Sequence, residues 1–453
     1  MSLIRGNLRN IALFLLVFSI PFDTKKFIWS ATPVVSEYFS VFLYGTDILL
    51  LFLLVFWGFR AIDRRDKYLK ILAAFSLLAA LPVIWAVSPL LAFYGWIRLL
   101  LLLAFALALS GFLRRGNVAL GTIFSAVFAS AVFQSIVALL QFRDQTSLGL
   151  KWLGESVIGL TTPGIARVAT NGLAYLRSYG TMPHANILAA FLGFGLVAAI
   201  YLLYRAKRPW SRIGFASGLF FILAGLIFTF SRSGWIVAGF TVATLVVYGL
   251  WRSDLRRRAT AVVFVLVAAA AFLVPSGGRL MFARAGFTAT EPSVVDRVIY
   301  NEIGLFKFPE TYPLGVGLKN QVLVAERNGW YRDFGLKYSF QAQPIHDIYL
   351  LALADTGILG LAAFLAFIGW LTYDKFRIWL KTKDADVSFA LVLVLGALAF
   401  GLVDHFYWDL WSGQLMFWLA LGILMGIGPR SPMDRISPSE GEGAGSIPAE
   451  GTK

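Results

Sequence analysis

The chain has 453 residues, 58% of them hydrophobic, with 40 Lys and Arg against 25 Asp and Glu for a net charge of +15, and a mean hydropathy of +0.73. Only 14% of its residues are charged, where a soluble globular chain carries about 25%; this excludes a disordered chain, a collagen, a coiled coil and a soluble enzyme of ordinary make-up, and points to a polytopic membrane protein. The absence of cysteine also excludes a disulfide framework, a thiolate zinc site, an iron–sulfur cluster and a Cys nucleophile.

Twelve apolar segments are predicted, near 8–22, 39–59, 69–87, 91–113, 117–141, 184–204, 211–230, 232–251, 259–275, 346–370, 386–404 and 406–428. A membrane span needs about 20 apolar residues, and backbone amides in lipid must be satisfied within the segment, so each is read as a helix. The first follows Arg5 and Arg9 as a signal peptide does, but no small-x-small cleavage site precedes residues 23–26, so a retained signal-anchor helix is expected. Basic residues follow every second segment: Arg60, Arg64, Arg65 and Lys67; Arg114 and Arg115; Arg205, Lys207 and Arg208; Arg252 and Arg256 to Arg258; Lys375, Arg377, Lys381 and Lys383. The positive-inside rule makes that side, and with it both termini, cytoplasmic. The basic clusters are short and scattered, so nucleic-acid binding is not expected.

Two long loops, 142–183 and 276–345, then fall on the outer side, where long loops carry function more often than short turns do. In the second, Val294, Val295, Val298, Ile299, Ile303 and Phe306 recur at helical spacing and predict an amphipathic helix on the membrane surface. The expected organisation is nine spans over 1–275, the loop 276–345, three spans over 346–428 and a tail at 429–453. That tail, rich in Gly, Ser, Pro and Glu, lacks the apolar content to fold.

The chain's three histidines, His184, His346 and His405, all map to the outer face, where Arg98 and Arg232 also fall near helix ends and Arg177 precedes His184 by seven residues. Ionisable groups at the membrane edge are costly and usually functional, and several Arg and His on one face suit an anionic ligand, phosphate above all. A lone His or Arg at a helix end can also simply snorkel or tie down a loop. That reading is favoured for His405, is even for Arg98, and competes at Arg232, whose Ser231-Arg232-Ser233-Gly234 turn joins two spans with almost no linker. Asp384-Ala385-Asp386 resembles a metal-binding DxD but lies in a Lys-rich cytoplasmic loop, and Gly315-Val316-Gly317-Leu318-Lys319 lacks P-loop spacing.

Four segments in order carry a resemblance: Arg177-Ser178-Tyr179-Gly180-Thr181-Met182-Pro183-His184-Ala185-Asn186; Ser231-Arg232-Ser233-Gly234; Pro313-Leu314-Gly315-Val316-Gly317; and His346-Asp347-Ile348-Tyr349-Leu350, continued by Asp355, Gly357 and Gly360-Leu361. Together they resemble the O-antigen ligase and polymerase superfamily of bacterial envelopes, over roughly 170–365. Ala185, Asp347 and Asp355 stand where Pro, Asn and Glu are common in that pattern. The resemblance implies an all-α membrane protein of the GT-C kind with about twelve spans, in the bacterial inner membrane, whose periplasmic loop caps the site. It also implies glycan transfer at the outer face from undecaprenyl diphosphate. The acceptor is the lipid A–core in the ligase branch, a second lipid-linked repeat in the polymerase branch, and a protein in a third.

Within that reading His346 is the expected general base, since a neutral imidazole suits proton abstraction at neutral pH. Arg232 and Arg177 are the expected diphosphate clamps, with Arg98 and His184 as second choices and the motif residues Asn186 and Tyr349 joining the substrate site. Carboxylates in the outer loops are scattered, so neither a metal nor another cofactor is expected. A single displacement inverts the anomeric centre. The alternatives are the polymerase branch, a transporter for a lipid-linked saccharide, and a structural scaffold. A transporter usually places its polar groups at the midplane of repeated halves, and this chain keeps them at one face.

Overall fold

The computed structural model describes residues 2–170, 172–286, 291–336 and 341–428; the tail expected at 429–453 lies outside them. Among the described residues, seven helices are long and apolar enough to cross a membrane: Pro89–Arg114, Leu120–Asp144, Ala185–Arg205, Pro209–Phe228, Arg232–Trp251, Arg256–Pro275 and Ile348–Thr382. Four further predicted spans coincide with shorter apolar helices, Gly6–Ser19, Leu69–Ile84, Ala385–Gly401 and Trp411–Gly426. The remaining one, 39–59, begins as a strand. Residues Ser40–Tyr44 alternate between buried and more open positions, pair antiparallel with Lys25–Ser30, and lead into the Gly45–Leu53 helix and a π-helical turn, Leu54–Gly58. Hydropathy reads the apolar content of Val41, Phe42 and Leu43, but β-branched Val41 and aromatic Phe42 suit a pleated hairpin edge.

Ala185–Arg205 is the central helix, buried along nearly its whole length against Leu120–Asp144, Pro209–Phe228 and Arg232–Trp251. Trp411–Gly426 packs along Pro89–Arg114. A second, smaller core lies under the long loop, where Tyr300, Ile303, Phe308, Val316, Trp330 and Tyr331 meet Leu351 and Ala354. The expected amphipathic helix is present as Pro292–Glu302, continued by Ile303–Lys307. It turns Tyr300 and Ile303 inward and leaves Val295, Val298, Leu305 and Phe306 exposed.

The Pro-Leu-Gly-Val-Gly segment serves architecture. The helix Ile348–Thr382 is interrupted at Gly357, which has φ 71°, and the 313–317 loop enters the break. Val316 and Gly317 donate backbone hydrogen bonds to the Ala354 and Asp355 carbonyls at 2.9 Å, and Ile358 donates to Pro313 at 3.0 Å. A Cβ at Gly357 would lie 2.4 Å from the Leu314 carbonyl carbon, and one at Gly315 2.5 Å from the Gly357 nitrogen. Both positions also need left-handed backbone, so glycine is required at each. Asp384 caps the Ala385–Gly401 helix, accepting from the Asp386 and Val387 amides, and Asp386 pairs with Arg205. The DxD resemblance is thus a helix cap and an ion pair.

Candidate functional site

A cavity of about 790 Å³ opens where the long loop meets the ends of the helices. All three histidines line it, with Arg177, Arg232, Asn186 and, beyond the expected set, Arg284, Arg297 and Asp404. Local backbone chemistry sets each one. His184 is the N-cap of Ala185–Arg205. Ser231 caps Arg232–Trp251, its Oγ accepting from the Gly234 amide at 3.3 Å, and Arg232 follows directly. The turn before it holds buried Phe230 at φ 48°, a left-handed conformation that costs a non-glycine residue about 1–3 kcal/mol. Phe230 is held there by contacts with the rings of Phe142, Phe228 and Trp235.

Two polar clusters organise the site. Arg177 donates from Nε to the Thr229 carbonyl at 2.7 Å and from Nη2 to the Asn186 Oδ1 at 2.6 Å. Asn186 Nδ2 donates to Asp404 Oδ2 at 2.9 Å, and Arg297 reaches the same oxygen at 3.4 Å. Arg232 donates to the Gly286 carbonyl at 2.9 Å, and its Nη2 lies 2.8 Å from a Glu291 oxygen; Arg284 holds the other Glu291 oxygen at 2.6 Å. The turn carrying Asp404 and His405 is pinned by Trp408, whose indole donates to Asp355 at 2.9 Å.

Hydrogen-bond partners assign the imidazole tautomers. The Nδ1 of His184 accepts the Asn186 amide at 3.1 Å, so the neutral ring carries its proton on Nε2 and presents a donor. The Nδ1 of His346 lies 2.8 Å from the Pro344 carbonyl, which can only accept. The proton therefore sits on Nδ1, and Nε2 keeps a lone pair. His405 Nδ1 lies 2.8 and 3.0 Å from the two oxygens of Asp409. The His346 ring stacks on Tyr300 at 5.1 Å and meets His405 edge-on at 4.7 Å.

These groups lie beyond the helix ends, and burial separates their protonation. Burial and the neighbouring His405 push His346 well below 6.5. Burial and the Arg177 charge take His184 down to about 3. Both are neutral at pH 7. Burial opposes charge on His405 too, but Asp409 outweighs it and raises the ring above 6.5. Burial likewise opposes the Asp404 charge, yet His405 and Arg297 hold it down to about 2. Burial and the Arg284 charge lower Arg177 to about 9, still protonated at neutral pH. The result is one neutral acceptor, His346, among fixed cations.

Two expected residues stand apart from the cavity lining. Arg98 forms a buried ion pair with Asp47, with Nη1 at 2.5 Å and Nη2 at 3.0 Å, and its guanidinium lies 3.9 Å from the Trp411 ring centre. A cation so paired and covered is a packing element of the helix bundle. Tyr349 donates its hydroxyl to the Leu398 carbonyl at 3.0 Å and braces neighbouring helices, while Asp347 caps its helix by accepting from the Tyr349 and Leu350 amides. His405, read from the sequence as a helix-end anchor, is instead buried in the cavity wall. Arg284, Arg297 and Asp404 were missed. Asp404 next to His405 at a span junction was the available signal. Arg284 ends the Arg256–Ala285 helix and Arg297 lies on the Pro292–Glu302 helix, where neither belongs to a motif. No metal site was expected, yet among the described residues the ligand atoms of His346, Asp404 and His405 lie within 4.8 Å of one another.

Residues 217–365 match the family model described as O-Antigen ligase. The match spans the Arg232 turn, the Pro-Leu-Gly-Val-Gly loop and the His346 segment, and it supports placing the chain in the O-antigen ligase and polymerase superfamily. That family indicates a glycosyl-transfer enzyme acting on lipid-linked glycans. No curated protein matches the chain.

Proposed function

We propose that the protein is a glycosyltransferase of the bacterial inner membrane, working at its periplasmic face. It moves a glycan from undecaprenyl diphosphate to the lipid A–core, without a metal and with inversion. The observation that carries this reading is the pairing of neutral His346 with the cluster of Arg177, Arg232, Arg284 and Arg297 in one cavity.

In this reading His346 Nε2 takes the proton of the acceptor hydroxyl as that oxygen forms its bond to the anomeric carbon. The bond from that carbon to the diphosphate oxygen breaks, and its electron pair leaves with undecaprenyl diphosphate. A diphosphate leaving group needs charge stabilisation more than a proton. Arginine forks supply it through charge-assisted hydrogen bonds in a partly dry site, with His405, whose ring Asp409 shifts toward the charged form, as a further donor. His184, with its Nε2–H, adds a neutral donor. Asn186 keeps Arg177 and Asp404 in register. Tyr38, Tyr300, Gln341 and Gln343 also line the cavity, and offer aromatic rings and amides suited to a hydroxyl-rich sugar.

The polymerase branch shares these motifs and accounts for the same cavity. Reconstituted protein given an undecaprenyl-diphosphate glycan and rough lipopolysaccharide separates the two. Capped lipopolysaccharide establishes the ligase; longer lipid-linked chains without capped product assign the polymerase branch. A transporter of the lipid-linked saccharide would move the donor across the bilayer and form neither product.

A further inference from the structure

We infer that His346, Asp404 and His405 form a site for Zn²⁺, and that filling it blocks the transfer reaction. Their ligand atoms lie within 4.8 Å of one another, and His405 Nε2 is 4.0 Å from Asp404 Oδ1. Zinc bonds of about 2.0–2.2 Å place tetrahedral donors roughly 3.3 Å apart, so the widest-spaced pair closes by up to about 1.5 Å around the ion.

The shell behind these atoms sets the trio apart from a chance cluster. Histidines that bind metals pass their other ring proton to a carboxylate or a carbonyl, which aims the free nitrogen at the ion. Both histidines here are held in this way, His346 Nδ1 on the Pro344 carbonyl at 2.8 Å and His405 Nδ1 on Asp409 at 2.8 and 3.0 Å. The carboxylate is aimed as well. Asn186 and Arg297 hold Asp404 by Oδ2, while Oδ1 accepts the His405 amide at 2.9 Å and keeps a second lone pair on the His405 side. Three protein ligands leave the fourth position open to the cavity, in the manner of a catalytic or inhibitory zinc site. Zinc replaces a ring proton at His405, and Glu291 already engages Arg232 and Arg284, which limits the added positive charge.

The rest of the chain offers little competition. It has no cysteine and three histidines, and His184 has given its Nδ1 lone pair to a backbone amide. Bound zinc occupies the His346 Nε2 lone pair. The inhibitory consequence, though not the binding, rests on the proposed role of His346 as base.

The test uses untagged full-length protein in detergent, stripped with EDTA and then equilibrated with Zn²⁺. Bound zinc is counted by elemental analysis after gel filtration, and affinity is read by competition with a chromophoric chelator. One zinc per chain is expected, lost in His405→Gln and in Asp404→Asn. Asp409→Asn, which keeps all three ligands and serves if the others fold poorly, is expected to weaken binding about 10- to 100-fold. In a second arm, transfer falls over the same zinc range and returns with EDTA. Folded wild type that binds no stoichiometric zinc, or folded variants that bind as wild type does, overturns the site. Zinc bound as expected with an unchanged transfer rate overturns the inhibition. Stoichiometry is read without substrate, so a protein that transfers no glycan but binds zinc at these residues refutes the proposed function and leaves the site standing.

Discussion

Asn186 bridges the cationic and anionic parts of the cavity with the two ends of its amide. Its oxygen accepts from Arg177 at 2.6 Å while its nitrogen donates to Asp404 at 2.9 Å. Asn186→Ala removes both bonds. Each has a charged partner, worth about 1.5–3 kcal/mol, and water admitted from the cavity recovers part of the sum, so a net effect of about 3 kcal/mol is expected. At about 1.36 kcal/mol per decade, this is roughly a 100-fold loss in kcat/KM. The backbone is spared, since alanine is the better helix former and the Ala185–Arg205 helix is packed along nearly its whole length. Steady-state transfer in liposomes, with a thermal melt of the same preparation, reads both quantities. Activity within threefold of wild type refutes the bridge. A large fall in melting temperature that accounts for the lost activity refutes the claim that the effect is local to the site.

Further outcomes follow from the same geometry. Arg232→Lys should lose most activity, because a point charge cannot reproduce a bidentate fork; full turnover by the Lys variant makes Arg232 an interfacial anchor. The pH profile of kcat/KM should stay flat as pH falls through 6.5, since His346 must be neutral and its pKa lies well below that value. It should decline on the alkaline side as His405, raised above 6.5 by Asp409, loses its proton. Asp409→Asn should move that alkaline limb to lower pH, and an unmoved limb removes His405 from the charge balance. Arg98→Ala strands buried Asp47, a change that typically costs about 3–5 kcal/mol. It should lower the melting temperature and leave the donor KM of surviving protein unchanged; the reverse pattern returns Arg98 to the site.

Much of the fold was legible because lipid leaves helices few alternatives. The span predicted at 232–251 coincides with the helix Arg232–Trp251, and most others agree to within a few residues. Legibility failed where hydropathy is blind to backbone geometry. Val41, Phe42 and Leu43 are apolar in a strand as in a helix, and the Arg256–Ala285 helix carries Pro275 inside it, where an apolar count ends the span. At the site, His346, His184, Arg177, Arg232 and Asn186 were readable because short motifs flank them. Arg98 was not separable from them, since a charge at the end of an apolar helix looks alike whether it faces a ligand or Asp47. Arg284 and Arg297 lie in a stretch with no motif and enter the cavity only through the fold of the long loop. Asp404 and His405 stood in plain view at a span junction, and their meaning depended on Asp409 one helical turn on, which raises the charge of one ring beside the neutral ring of His346.

The most direct measurement is single-turnover transfer by reconstituted wild type and His346→Ala, each with and without EDTA, using an undecaprenyl-diphosphate glycan and rough lipopolysaccharide. Loss of a general base is expected to slow the chemical step by about 10²- to 10⁴-fold, in folded and inserted protein, with EDTA leaving the wild-type rate intact. Transfer by His346→Ala at near the wild-type rate, or abolition of wild-type transfer by EDTA, contradicts the account.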